Sequence, residues 1–218
     1  MDVTLHLGEL PVERRLALTY APGPARPIIL GLLALDTRLA GIVRQAREPL
    51  LGQLRLSWWR DRLGPGGPSG TSGDPLLDLL DDWGDQRGAL AGLADGWEHL
   101  LNETQLDSAD LVGFTEARAK ACAAMAERLG ESASAAEAAR AGRNWAVAEL
   151  AAKLSDPVEL ELAAALAAGQ DWRAVRLPRA LRPLTVLHGL SRRSRGTAPL
   201  LAGPIDGLVA VRLGLLGI

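Results

Sequence analysis

Cysteine, aromatic residues and β-branched residues are scarce in this 218-residue chain. Cys122 is its only cysteine, so no intramolecular disulfide scaffold is possible. It has one Phe and one Tyr, with six Trp carrying the rest of the aromatic content. Val, Ile and Thr together number 23, against 78 Ala plus Leu, which excludes an all-β fold. An excess of positive charge is also lacking: 24 Lys and Arg meet 26 Asp and Glu, for a formal charge of −2. That balance argues against a nucleic-acid binder, which needs surplus cations to neutralise phosphates. No long hydrophobic run occurs. The longest, 28–35 and 207–218, fall well short of the roughly 20 residues of a membrane span. No cationic region followed by an apolar one opens the chain, so the expected location is cytoplasmic.

What remains is a helix-forming composition, 48% hydrophobic and 23% charged. Residues 1–26 end in Ala-Pro-Gly-Pro-Ala-Arg before Pro27 and read as an extended lead-in; the helical domain is expected over 27–218. Ile28, Leu32, Leu35, Leu39 and Ile42 recur at steps of four and three, the stripe of a helix over about 27–46. Glu48-Pro49 breaks it, and a second helix follows to Leu63, with Leu51, Leu54 and Trp58 as one stripe, Trp59 and Leu63 adjoining it, and one of the two tryptophans expected in the core. The Gly-rich segment 64–74 reads as a flexible loop within one domain. Further helices are expected near 75–83, 87–102, 108–129, 134–154, 157–168, 171–177, 180–193 and 206–216. Asp107-Ser108 and Ser155-Asp156 suit N-caps, and Gly130 and Gly169 suit stops. The last segment is expected to close the core, with contact at an inner membrane surface as the alternative.

Two segments carry a resemblance. Arg26 to Arg44, followed by Glu48 to Arg60 with its core Gln53-Leu-Arg-Leu-Ser-Trp-Trp-Arg60, resembles the squalene/phytoene synthase family. Weaker likeness continues through Leu93–Leu101, Arg118, Gly142–Ala146 and Leu177–Leu184. The resemblance implies an all-α bundle of the isoprenoid-synthase type around an apolar cavity, here truncated, because the region after Arg195 reads as curtailed. Active members join two prenyl diphosphates head to head, with Mg²⁺ held by two aspartate pairs neutralising the departing pyrophosphate. Laying the first aspartate motif on 35–44 puts Ala40, Gly41 and Arg44 where the acids belong. The second leaves only Glu149 and Asp156, seven residues apart. The resemblance therefore implies a non-catalytic member that binds a lipid or isoprenoid, or assists protein assembly. A mitochondrial branch lacking the aspartates is associated with assembly of respiratory complex I.

The candidate ligand or cavity residues are Asp36, Arg55, Trp58, Trp59 and Trp145, with no metal site and no cofactor expected. The alternative is a Mg²⁺-dependent prenyl diphosphate synthase with an unconventional site at Asp78, Asp81, Asp82 and Asp85, the last three of which spell Asp-Asp-x-x-Asp just after the loop. A solvated acidic face accounts for the same run, since ten acids lie between positions 74 and 110 against one Arg87. Eight arginines after position 170 balance it; Arg173, Arg176 and Arg179 at steps of three could present donors to a phosphate, or pair with acids. Arg55 and Arg60 could do likewise, or pair with Asp61 or Glu48. Cys122 reads as a buried inert thiol, Trp97 and Trp145 as core, and His6, His99 and His188 as too scattered for metal.

Overall fold

A computed structural model describes residues 8–67, 73–101 and 105–217, and among them it contains helices and no strand. Residues 68–72 of the expected 64–74 loop lie outside the described residues. Ten helices lie wholly within the described residues, in order: α1 (Val12–Leu18), α2 (Arg26–Gln45), α3 (Pro49–Leu63), α4 (Pro75–Leu80), α5 (Arg87–Glu98), α6 (Ser108–Arg128), α7 (Ala135–Ala151), α8 (Pro157–Ala168), α9 (Arg182–Ser194) and α10 (Pro204–Leu216).

α2 is the axis of the bundle. Pro27 sits in its first turn, where a missing N–H costs nothing, and residues 28 to 36 are buried on every side. The single stripe expected there is thus only part of its buried surface. The indole of Trp83 donates to the Ile28 carbonyl at 3.3 Å, pinning the turn after α4 onto the start of α2. Helices α1, α3, α4, α5 and α6 pack directly on α2; α3, α5, α6, α7 and α9 pack each against the next, and α10 covers α9. α6 and α7 form the most extensive pair, and a glycine permits it. A Cβ at Gly142 would lie 2.6 Å from the Cys122 sulfur and 3.1 Å from the Arg118 carbonyl oxygen. Burial pushes the Cys122 thiol up to about 12, in keeping with an inert side chain.

Asp107 caps α6, accepting from the amides of Ala109 at 2.7 Å and Asp110 at 3.0 Å. Asp156 caps α8 in the same way, through Val158 and Glu159. Gly130 ends α6 at φ 76°, a conformation that suits glycine.

Three expectations need correction. Residues 1–26 are not wholly an extended lead-in: 12–18 form α1, which buries Arg14, Ala17 and Leu18, with Leu10 buried just before it, and a 3-10 turn at 23–25 feeds directly into α2. Residues 171–177 are not helical. The Asp171 carboxylate accepts from the Arg173 amide at 3.0 Å, and Pro178 disfavours helix in the residue before it. Val175 and Leu177 then point inward at a spacing of two, so Arg173, Arg176 and Arg179 form no helical fork. On α3 the stripe Leu51, Leu54 and Trp58 faces solvent, and Gly52, Leu56, Trp59 and Leu63 face the core. Both sets recur at helical steps; Gly52 decides between them, because only a residue without Cβ fits against Leu101, 2.7 Å from where a Cβ would stand.

Replacing Gly142 by Val should force α6 and α7 apart and lower the unfolding free energy by about 1–3 kcal/mol, read from the urea midpoint. An unchanged midpoint would contradict the tight contact.

Candidate functional site

Four ionised side chains meet in the middle of this apolar bundle. Asp36 comes from α2, Arg14 from α1, Arg118 from α6 and Glu149 from α7, and all four are buried. They alternate in a closed ring. Arg14 reaches an Asp36 oxygen at 2.7 Å and both Glu149 oxygens at 2.9 and 3.0 Å. Arg118 reaches both Asp36 oxygens at 2.9 and 3.1 Å, and Glu149 at 2.8 Å. The Trp97 indole donates to Asp36 at 2.9 Å, and Thr37 accepts from Arg14 at 2.9 Å. Two guanidinium charges cancel two carboxylates, which is the condition for holding ions in a low-dielectric interior.

Aromatic faces complete the enclosure. The Arg118 guanidinium carbon stands 4.3 Å from the Trp145 ring centre and 4.7 Å from that of Phe114, and Arg14 stands 4.9 Å from Trp145. Burial alone would raise the Glu149 pKa. Arg14, Arg118 and Lys153 outweigh it and hold this carboxyl well below its usual range. Burial would likewise lower the Arg14 pKa, but Glu149 and Asp36 keep it raised.

The ring lies against a cleft of about 430 Å³, a size within the range of small-molecule sites. Trp97, Phe114 and Glu149 belong to both. Ala40, Val43, Leu100, Leu106, Leu150 and Leu154 make its walls apolar, and Arg44 and Lys153 add two cations. Lys153 is 57% exposed and bonds Glu149, so it links the ring to the solvent-facing side of the cleft. The arrangement suits a molecule with an apolar body and a negative end.

The residues expected at a site are only partly brought together. Asp36 belongs to the ring, and Trp145 packs against its two guanidiniums. Arg55 is exposed on α3, Trp58 is half-exposed and meets Trp59 edge to face at 5.1 Å, and none of the three lines the cleft. Arg60 pairs with Asp95 and Glu98, each at 3.0 Å, with Asp61 at 3.9 Å. Asp78 lies in α4, whereas Asp81, Asp82 and Asp85 lie in a 3-10 turn interrupted at Gly84, with φ 51°. Asp81 pairs with Arg87 at 3.2 Å, and the Asp82 carbonyl accepts from Arg128 at 2.6 Å. No group of three or more His, Cys, Asp or Glu suited to a metal occurs among the described residues.

Arg14 and the pairing of Arg118 with Glu149 were not anticipated. Their signal was a charge on an apolar stripe: Arg118 continues Leu111, Phe114 and Thr115 and precedes Cys122 and Met125, all buried.

Comparison of the chain with protein-family models, with curated proteins and with solved structures gives no match in any of the three.

His6 lies outside the described residues. His188 is buried on α9, and its Nε2 accepts from Asn144 Nδ2 at 3.2 Å. Burial, aided by Arg140 and Arg192, pushes its pKa down to about 4.

Two outcomes follow from these geometries. Arg118→Met should cost about 3–5 kcal/mol, because it strands a buried negative charge. Adding Asp36→Leu restores neutrality and should recover part of the loss in urea titration; a double variant weaker than the single one by the full Asp36 effect would refute the coupling. His188 is neutral in the fold and protonated in the unfolded chain below pH 6.5, so stability should fall as pH drops from 6.5 toward 4. About 2 kcal/mol should be lost between pH 6.5 and 4.5, before Glu149 contributes. His188→Gln should flatten that slope.

Proposed function

We propose that this chain is a non-catalytic protein of squalene/phytoene synthase-like kind that binds an isoprenoid or lipid amphiphile in the cleft beside Trp97 and Phe114. It acts as a carrier or as an assembly factor for a protein partner, on the cytoplasmic side of an inner membrane. Among the described residues no helix is long and apolar enough to cross a membrane.

One observation carries the reading: Glu149, which lines the cleft, and Asp36 behind it are already neutralised by arginines. A Mg²⁺ ion takes carboxylate and phosphate oxygens with open coordination positions. Asp36 and Glu149 accept from two guanidiniums, an indole and an ammonium, so their lone pairs are spent on donors within the protein. The donor set does not suit Mg²⁺. An anionic head could instead meet Arg44 and Lys153 directly, as a charge-assisted contact that needs no metal.

Calorimetric titration with farnesyl diphosphate, with and without Mg²⁺, tests this. Binding should be the same in both, with no pyrophosphate released. Arg44→Glu together with Lys153→Glu should weaken it by about tenfold or more. Pyrophosphate release that depends on Mg²⁺ would overturn the reading in favour of a prenyl diphosphate synthase, and Asp78, Asp81, Asp82 and Asp85 would be the acids to test next.

A further inference from the structure

The last helix, α10, is apolar on both sides. Its inner side packs Ala210, Leu213 and Gly214 against α9 and Tyr20. Its outer side exposes Ile205 by 63%, Leu208 by 70%, Leu215 by 68% and Leu216 by 65%, with Val211 beside them. At about 100° per residue these positions span an arc of about 140°, wide enough to be a docking face. Charge borders it on one flank. A pocket of about 300 Å³ between α9 and α10 is lined by Arg192, Arg193, Arg195 and Arg212. Arg193 is committed to Asp206 at 3.0 Å. Arg192, Arg195 and Arg212 have no ion-pair partner among the described residues. Arg195 closes α9 in the left-handed conformation, φ 45°, which turns the chain back toward α10.

We propose that α10 docks on the surface of an anionic lipid membrane, its outer side chains entering the interface and the arginine pocket taking a lipid phosphate. The charge pattern selects this occupant. Arg212 stands within the apolar arc, where its long stem lies among Leu208 and Leu215 while the guanidinium reaches headgroup level. Planar guanidiniums match phosphate oxygens in pairs. A two-fold contact with a second copy would place the same uncompensated arginines near one another, which opposes self-association. An interfacial helix with apolar and arginine-bearing sides gains from both apolar burial and anionic lipid. The surface is separate from the cleft, and it refines the membrane-side location within the functional reading above.

Flotation of the full chain with phosphatidylcholine vesicles, alone or mixed with phosphatidylglycerol, tests the proposal. The protein should float with the mixed vesicles only, and less as salt rises. Leu208→Glu with Leu215→Glu should abolish flotation; both side chains are exposed, so circular dichroism should be unchanged. Arg192→Glu with Arg195→Glu should weaken binding by about tenfold or more. Equal binding to both vesicles, binding to neither, or retention by the Leu208→Glu, Leu215→Glu variant would overturn it. So would a wild-type dimer that this variant dissociates, or saturable binding of inorganic phosphate without vesicle binding. Farnesyl diphosphate titration of the same variant without vesicles should match the wild type, which separates failure of this surface from failure of the cleft.

Discussion

Neutralising two buried carboxylates is the constraint around which the bundle is arranged. Asp36 and Glu149 are buried in an apolar bundle, and ions there are tolerated only when paired and hydrogen-bonded. Arg14 and Arg118 answer both at once, each touching both acids. The result ties α1, α2, α6 and α7 at one point. Apolar packing alone tolerates a helix sliding by a turn; a four-membered ring of alternating charge does not, because a slip strands an ion. The aromatic walls follow from the same need. Trp97 supplies a donor that Asp36 would otherwise lack, and Trp145 and Phe114 offer π faces to guanidiniums cut off from water.

The cleft inherits its character from that ring. Trp97 and Phe114 turn one side to the ion cluster and contribute another to the apolar walls, so the cleft is bounded by residues held in place from behind. Lys153 carries surplus positive charge from the ring toward the opening. The acids of the ring are occupied by guanidinium donors, and the cations that line the cleft are Arg44 and Lys153.

Much of the fold was legible because helix formers, prolines and capping residues agree with one another. Pro27, Pro49, Asp107, Asp156 and Gly130 each mark a boundary for a local steric or hydrogen-bonding reason that tertiary packing leaves intact. Three failures share a different cause. On α3 two apolar stripes are equally periodic, and only the approach of Leu101 to Gly52 selects the buried one. In 171–177 a side chain of Asp171 competes for the backbone, which periodicity does not register. In α1 the buried face contains an arginine, and a charged residue reads as surface until its partners, far along the chain, are known. The site was half visible for that same reason. Asp36 stood out as an acid on a core helix, and Trp145 as a core aromatic, but nothing local says that an arginine 22 residues before Asp36 belongs beside it.

The span of the ring bears on how the chain folds as it is made. Arg14 and Glu149 are bonded across 135 residues, and Arg118 and Asp36 across 82. During synthesis α1 and α2 leave the ribosome long before α6 and α7, so for that interval Asp36 and the apolar surface around it have neither their arginine from α6 nor their covering helices. Contacts this distant close late, after the entropic cost of long loops has been met. The ring can close only once α7 has been made, and until then the buried faces of α1 and α2 stand without their partners.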